Sequence, residues 1–144
     1  YFGTVALERP LYLQDLDKNE QKMLKEGRLQ LMPSRDRLGR RIIVFLGAVG
    51  HGYSHQNRFK LIMYMIFQAA SEDETTQRNG LVAVYSRHED NIRLFMQLAY
   101  HQAECVRLFD AVPLRYAAYH LFLPDEFHAI RGVMMNMVGK KVRL

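Results

Sequence analysis

Tryptophan is missing from these 144 residues, and cysteine occurs once, at Cys105. A single thiol cannot close an internal disulfide, so a reducing, intracellular (cytoplasmic) compartment is the simple expectation. Cys105 itself falls in a helical pattern and reads as a small core residue. Long apolar runs are also missing: no stretch reaches the roughly 20 uninterrupted apolar residues that span a bilayer. No basic-then-apolar leader follows Tyr1, and the chain reads as a piece of a longer protein.

Catalytic signatures are equally scarce. Ser54 and Ser86 lack the flanking glycines of a nucleophile elbow, and one helical cysteine offers no Cys-His pair. His51 and His55 stand four apart, but Gly52 interrupts them and no carboxylate lies near enough to complete a metal site. His88, Glu89 and Asp90 read as a solvated loop and helix cap, and His120 as a hydrogen-bonded core histidine. These absences point away from an enzyme and imply no catalytic residue, no metal and no cofactor.

What is present is globular: hydrophobic residues are 49% and charged residues 24% of the chain, at a length usual for one domain. The net charge of +5 favours anionic partners. Its basic residues are scattered, with no Lys/Arg stripe interleaved with aromatics, so nucleic acid is not expected among the partners. An acidic membrane surface is the other anionic partner that such a charge suits.

Residues 33–47 carry the most information. A charged turn at 35–40, with Gly39 free to take positive φ, feeds an apolar run over 42–46. A strand apolar at every position is expected to be buried on both faces. Upstream, Asp17 and Glu20 form a capping box, Gly27 suits a helix stop, and residues 28–32 alternate with period two, predicting an edge hairpin with the run. Residues 55–70 repeat apolar positions at Phe59, Ile62, Met63, Ile66, Ala69 and Ala70, one helix face. A polar connector over 71–79, with solvated carboxylates, ends in Asn79-Gly80. A second buried strand follows at 81–85. A helix capped by Asp90 runs to Pro113, a third strand covers 116–123, and a helix begins at Pro124 and stops at Gly139. Residues 140–144 read as a further strand. Strands alternating with helices predict an α/β fold with a mainly parallel sheet of about four to five strands and flanking helices.

Several motifs, taken in order, resemble the CRAL-TRIO family of domains, which enclose one hydrophobic molecule. Asp36-Arg37-Leu38-Gly39-Arg40 is similar to the family's D-x-x-G-R turn, and the run ending Leu46-Gly47 to its first long strand. Asn79-Gly80-Leu81-Val82-Ala83-Val84 looks like its second strand. Pro113-Leu114-Arg115 and the stretch 119–124 with Phe127 resemble its P-x-R turn, third strand and Pro-initiated helix. Gly139-Lys140-Lys141-Val142-Arg143 resembles the start of its fourth strand. The chain departs from the family at Tyr85-Ser86-Arg87, where an Asp and a Gly are usual, and at Phe122, where an Asn is usual.

The resemblance covers residues 28–144, and the chain is read as two parts. Residues 1–27 form an N-terminal arm and short helix. Residues 28–144 form the lipid-binding-like domain, whose gate helix would lie beyond Leu144. It implies non-enzymatic binding, with transfer as an extension, of a phospholipid or other hydrophobic small molecule by a monomer. Ile43, Phe45, Val82, Val84, Tyr119, Leu121, Phe127, Met134 and Met137 are the candidate lining. Lys140, Lys141 and Arg143 are candidates for transient contact with an anionic membrane, as a peripheral protein. Any single methionine, Met63 and Met65 included, reads first as core filling.

Two other readings stand beside this one. The fold could have lost its cavity and serve as a protein-interaction module. Alternatively, Gly47-Ala48-Val49-Gly50-His51-Gly52 could cradle a phosphate, with Ser86-Arg87 reading an NADP-like 2′-phosphate. The glycine order G-x-x-G-x-G and the 40-residue interval from Gly47 to Arg87 (87 − 47 = 40) both depart from the dinucleotide pattern.

Overall fold

The computed structural model describes residues 10–46, 52–86, 114–122 and Gly132. Apart from Gly132, the helices expected over 90–112 and 124–139 and the strand expected over 140–144 lie outside the described residues. A single 3-10 turn (Leu13–Asp15) precedes helix α1 (Lys18–Lys25) and strands β1 (Leu29–Arg35) and β2 (Arg41–Leu46). Helices α2 (His55–Glu72) and α3 (Glu74–Asn79) lead to β3 (Leu81–Ser86), and β4 (Tyr116–Phe122) completes the described set. The sheet order is β1-β2-β3-β4, with β1 antiparallel to β2 and the other two pairs parallel. The architecture is thus a mixed α/β fold with a mostly parallel sheet.

Local chemistry explains the element ends. Asp17 accepts the Glu20 amide at 2.8 Å while Glu20 Oε2 accepts the Asp17 amide at 2.8 Å, the reciprocal cap expected at α1. Gly27, at φ +66°, stops that helix, its amide donating to Leu24. Ser54 caps α2 by accepting the Asn57 amide.

The expected connector over 71–79 is instead mostly helical. Helix α2 continues to Glu72, and Asp73, with extended backbone, ends it and caps α3 by accepting the Thr76 amide at 2.8 Å. Gly80, at φ +81°, then turns the chain into β3. Its α-carbon lies so close to the chain entering β4 that an added methyl group would collide with the Arg115 carbonyl oxygen. The adjoining Leu81 amide donates to that same oxygen at 2.9 Å.

Register sorts the strand side chains onto two faces. Leu29, Ile43, Phe45, Leu81, Ala83 and Tyr85 belong to one face and join Leu61, Ile62, Met63, Met65, Ile66 and Ala69 of α2 in a single buried cluster. Phe45 and Tyr85, register partners, stack with ring centres 5.3 Å apart. Met63 and Met65 are therefore core filling. Leu61 and Met65 extend the buried arc of α2 beyond the expected face because a second layer, residues 10–26, covers that flank. Leu11 and Asp15 accept at their carbonyls from Gln68 and Lys60, Asn57 donates to Glu20, and Tyr53 donates to Glu26. As that segment advances, its partners on and just before α2 recede from 68 to 53, so it runs antiparallel along the helix as a strap.

Candidate functional site

At the amino edge of the parallel strands, charged side chains fasten the β1–β2 hairpin. Asp36 Oδ1 accepts the Leu38 and Arg40 amides at 2.9 and 2.8 Å, and Oδ2 accepts Arg40 Nε at 2.6 Å. Gly39, at φ +73°, closes the turn, its amide donating to the Asp36 carbonyl. Burial raises the Asp36 pKa, but the Arg40 and Leu38 hydrogen bonds outweigh it and hold the carboxyl below its usual range. Arg35 then reaches from β1 to Thr76 Oγ1 at 3.0 Å and Asp73 Oδ2 at 2.5 Å, while the buried Arg41 pairs with Glu72. The Thr76 amide, with Arg35 adding to it, depresses Asp73 despite partial desolvation. Glu72 and Asp73, expected as freely solvated connector charges, are instead the acids of this clamp. All of these groups are committed to construction, so the D-x-x-G-R turn does structural work here.

The sheet face turned away from the α2 cluster differs in character. Parallel register aligns Ile42 with Val82 and Ala118, then Val44 with Val84 and His120, then Leu46 with Ser86 and Phe122. The first row and both valines of the second make a continuous apolar surface of β-branched and small side chains. Val82 is buried yet lies outside the α2 cluster, and Ile42, Val44, Val84 and Ala118 are half-buried. At the carboxyl ends Leu46 is exposed and Phe122 is 60% exposed, an uncommon condition for a large aromatic ring. Polarity rises toward that end, with Ser86 half-buried and His120 exposed. Crevices beside strand carboxyl ends are where open α/β sheets take their ligands.

The sequence-derived lining residues divide between the two faces. Ile43 and Phe45 are packed under α2 in the closed core, whereas Val82 and Val84 stand on the opposite face. Tyr119 and Leu121 are register partners of Ala83 and Tyr85. Phe127, Met134, Met137, Lys140, Lys141 and Arg143 lie outside the described residues, as do Gly47 to His51 of the glycine-rich loop. Two expectations are corrected. His120 is exposed, because it stands toward the carboxyl end of β4 on the face away from α2. The run over 42–46 is fully buried only at Ile43 and Phe45, the two positions that pack under α2, while Ile42 and Val44 on the other face are half-buried. Ile42, Val44 and Ala118 are half-buried residues of the face opposite α2 that periodicity could not single out, as unbroken apolar runs carry no alternation.

Among the described residues no group of three His, Cys, Asp or Glu side chains could hold a metal ion. No described helix is long and apolar enough to cross a membrane. No protein-family model matches the sequence, and no characterised protein matches it.

Proposed function

We propose that this chain binds one hydrophobic ligand, a lipid or similar small molecule, against the sheet face opposite α2. The observation that supports this reading is the aligned surface of Ile42, Val44, Val82, Val84 and Ala118 opening onto exposed Leu46 and Phe122. Burying apolar side chains against a ligand contributes about 25 cal/mol per Å² removed from water, with no reacting group required. Ser86 and His120 at the open end suit the few polar contacts that orient a ligand's polar end. The motif order shared with CRAL-TRIO domains agrees, and on that reading the protein is a non-enzymatic, cytoplasmic binding or transfer protein acting as a monomer.

Within this reading the lining is Ile42, Val44, Val82, Val84 and Ala118, rather than Ile43 and Phe45. The test is titration of the whole chain with a fluorescent fatty acyl probe, comparing wild type with Val84→Asp and Val44→Asp. Saturable binding that both charges abolish, with folding retained by circular dichroism, is expected. Equal probe binding in wild type and variants would overturn the assignment, and no binding in either would favour a protein-interaction module.

A further inference from the structure

The strap over residues 10–26 has two sides of opposite character. Its inner side, Leu16, Glu20 and Met23, is buried against the body of the fold. Glu20 is only 2% exposed, and Lys60 neutralises it at 3.1 Å while Asn57 satisfies its other oxygen. The outer side carries Lys18, Lys22 and Lys25, all exposed. Their spacing of four and three places them on one stripe about 10 Å long. Just upstream, Tyr12 and Leu13 are 50% and 53% exposed.

Net charge along the strap conceals this segregation. Asp15 accepts the Tyr12 amide, Asp17 caps α1 and accepts from Asn57, Glu20 is buried against Lys60, and Glu26 accepts the Tyr53 hydroxyl at 2.9 Å. The four acids are thus spent on caps and on holding the strap to the α2 segment. The lysines make no ion pair with any described residue, although Lys22 lies near the Tyr53 hydroxyl. Basic residues are scattered over the chain as a whole, but α1 brings three of them onto one stripe, a few residues after the exposed Tyr12 and Leu13.

We infer that the outer side of this strap docks on an anionic lipid bilayer. Lysine ammonium groups suit the negative potential of such a surface, and an exposed Tyr-Leu pair suits its apolar–polar boundary. Docking of this kind needs no occupied cavity, so its outcome is separate from that of ligand binding. It also locates the membrane contact on the strap instead of at Lys140, Lys141 and Arg143.

The experiment is co-sedimentation of the whole chain with phosphatidylcholine vesicles containing about 30% phosphatidylserine, against pure phosphatidylcholine. Wild type should bind the anionic vesicles only, and raising salt should release it. Lys18→Gln/Lys22→Gln/Lys25→Gln should lower partitioning about a hundredfold, and the corresponding triple arginine variant should retain it. Tyr12→Ser/Leu13→Ser should weaken binding while leaving its salt dependence intact. The lysine changes leave the melting temperature unchanged, which separates docking from folding. Failure of wild type to bind, equal binding by the triple glutamine variant, or loss only on neutralising Lys140, Lys141 and Arg143 would each overturn the assignment. So would binding to duplex DNA as tight as to vesicles and indifferent to Tyr12 and Leu13.

Discussion

Replacing Gly80 by alanine should be among the most damaging single-methyl changes in this chain. Gly80 has φ +81° and ψ −168°, a region that side chains other than glycine's enter only at about 1–3 kcal/mol. The added methyl would also collide with the Arg115 carbonyl oxygen, backbone that cannot rotate aside as a side-chain tip could. Moving β4 away from it breaks the Leu81 amide to Arg115 bond, worth about 1 kcal/mol, and loosens the β3–β4 register at its start. Together these costs give about 2–4 kcal/mol, or a melting temperature lowered by about 6–12 °C at this chain length. Gly52→Ala is the matched control: its φ is +85°, but nothing lies within 4 Å of the new methyl, so only the backbone term applies. Urea unfolding of both variants separates conformational strain from collision. If Gly80→Ala is no worse than Gly52→Ala, the close approach of Gly80 to the Arg115 backbone is refuted.

Further outcomes follow from the charged networks and the core. Lys60→Met should cost about 3 kcal/mol, because it leaves the buried Glu20 carboxylate without its cation, measured by urea midpoint. Asp17→Ala should cost about 1 kcal/mol through the lost α1 cap, and helical circular dichroism should fall only slightly. Asp17, Asp36 and Asp73 all titrate below the ordinary carboxylate range when folded, so the unfolded chain binds protons first as pH falls. Their stabilisation is therefore present at neutral pH and is lost below about pH 4, toward their folded values; Asp36→Asn should flatten that acid limb of a stability–pH series. Ile43→Ala should cost about 2–5 kcal/mol from the cavity it leaves under α2, without a specific effect on ligand affinity.

Much of this fold is legible in the sequence where a physical signal is local. The capping pair Asp17 and Glu20, the stop at Gly27 and the turn at Gly39 are dictated by single residues and their near neighbours. The antiparallel pairing of β1 with β2 follows from a short charged turn between two apolar stretches. Helix α3 escapes because Glu-Thr-Thr-Gln-Arg-Asn has no apolar period; its start at Asp73 and stop at Gly80 were the available signals. His120 reads as a core residue from sequence because a short, largely apolar strand does not show which of its faces is covered. The candidate surface suffers from the same ambiguity: Ile42 and Ile43 are adjacent and alike, and only the position of α2 assigns one to the core and the other to the opposite face. The strap's lysine stripe is hidden in the sequence by the four acids interspersed with its three lysines, and only the folded chain shows those acids engaged in caps and in contacts with the α2 segment.

Native mass spectrometry of the whole chain expressed in cells, with extraction and identification of whatever accompanies it, addresses the central claim most directly. A stoichiometric hydrophobic molecule in the wild type, absent from Val84→Asp but retained in the Lys18/Lys22/Lys25 glutamine variant, is the predicted result. A bare chain mass in every case, unchanged after incubation with phospholipid vesicles, would contradict it.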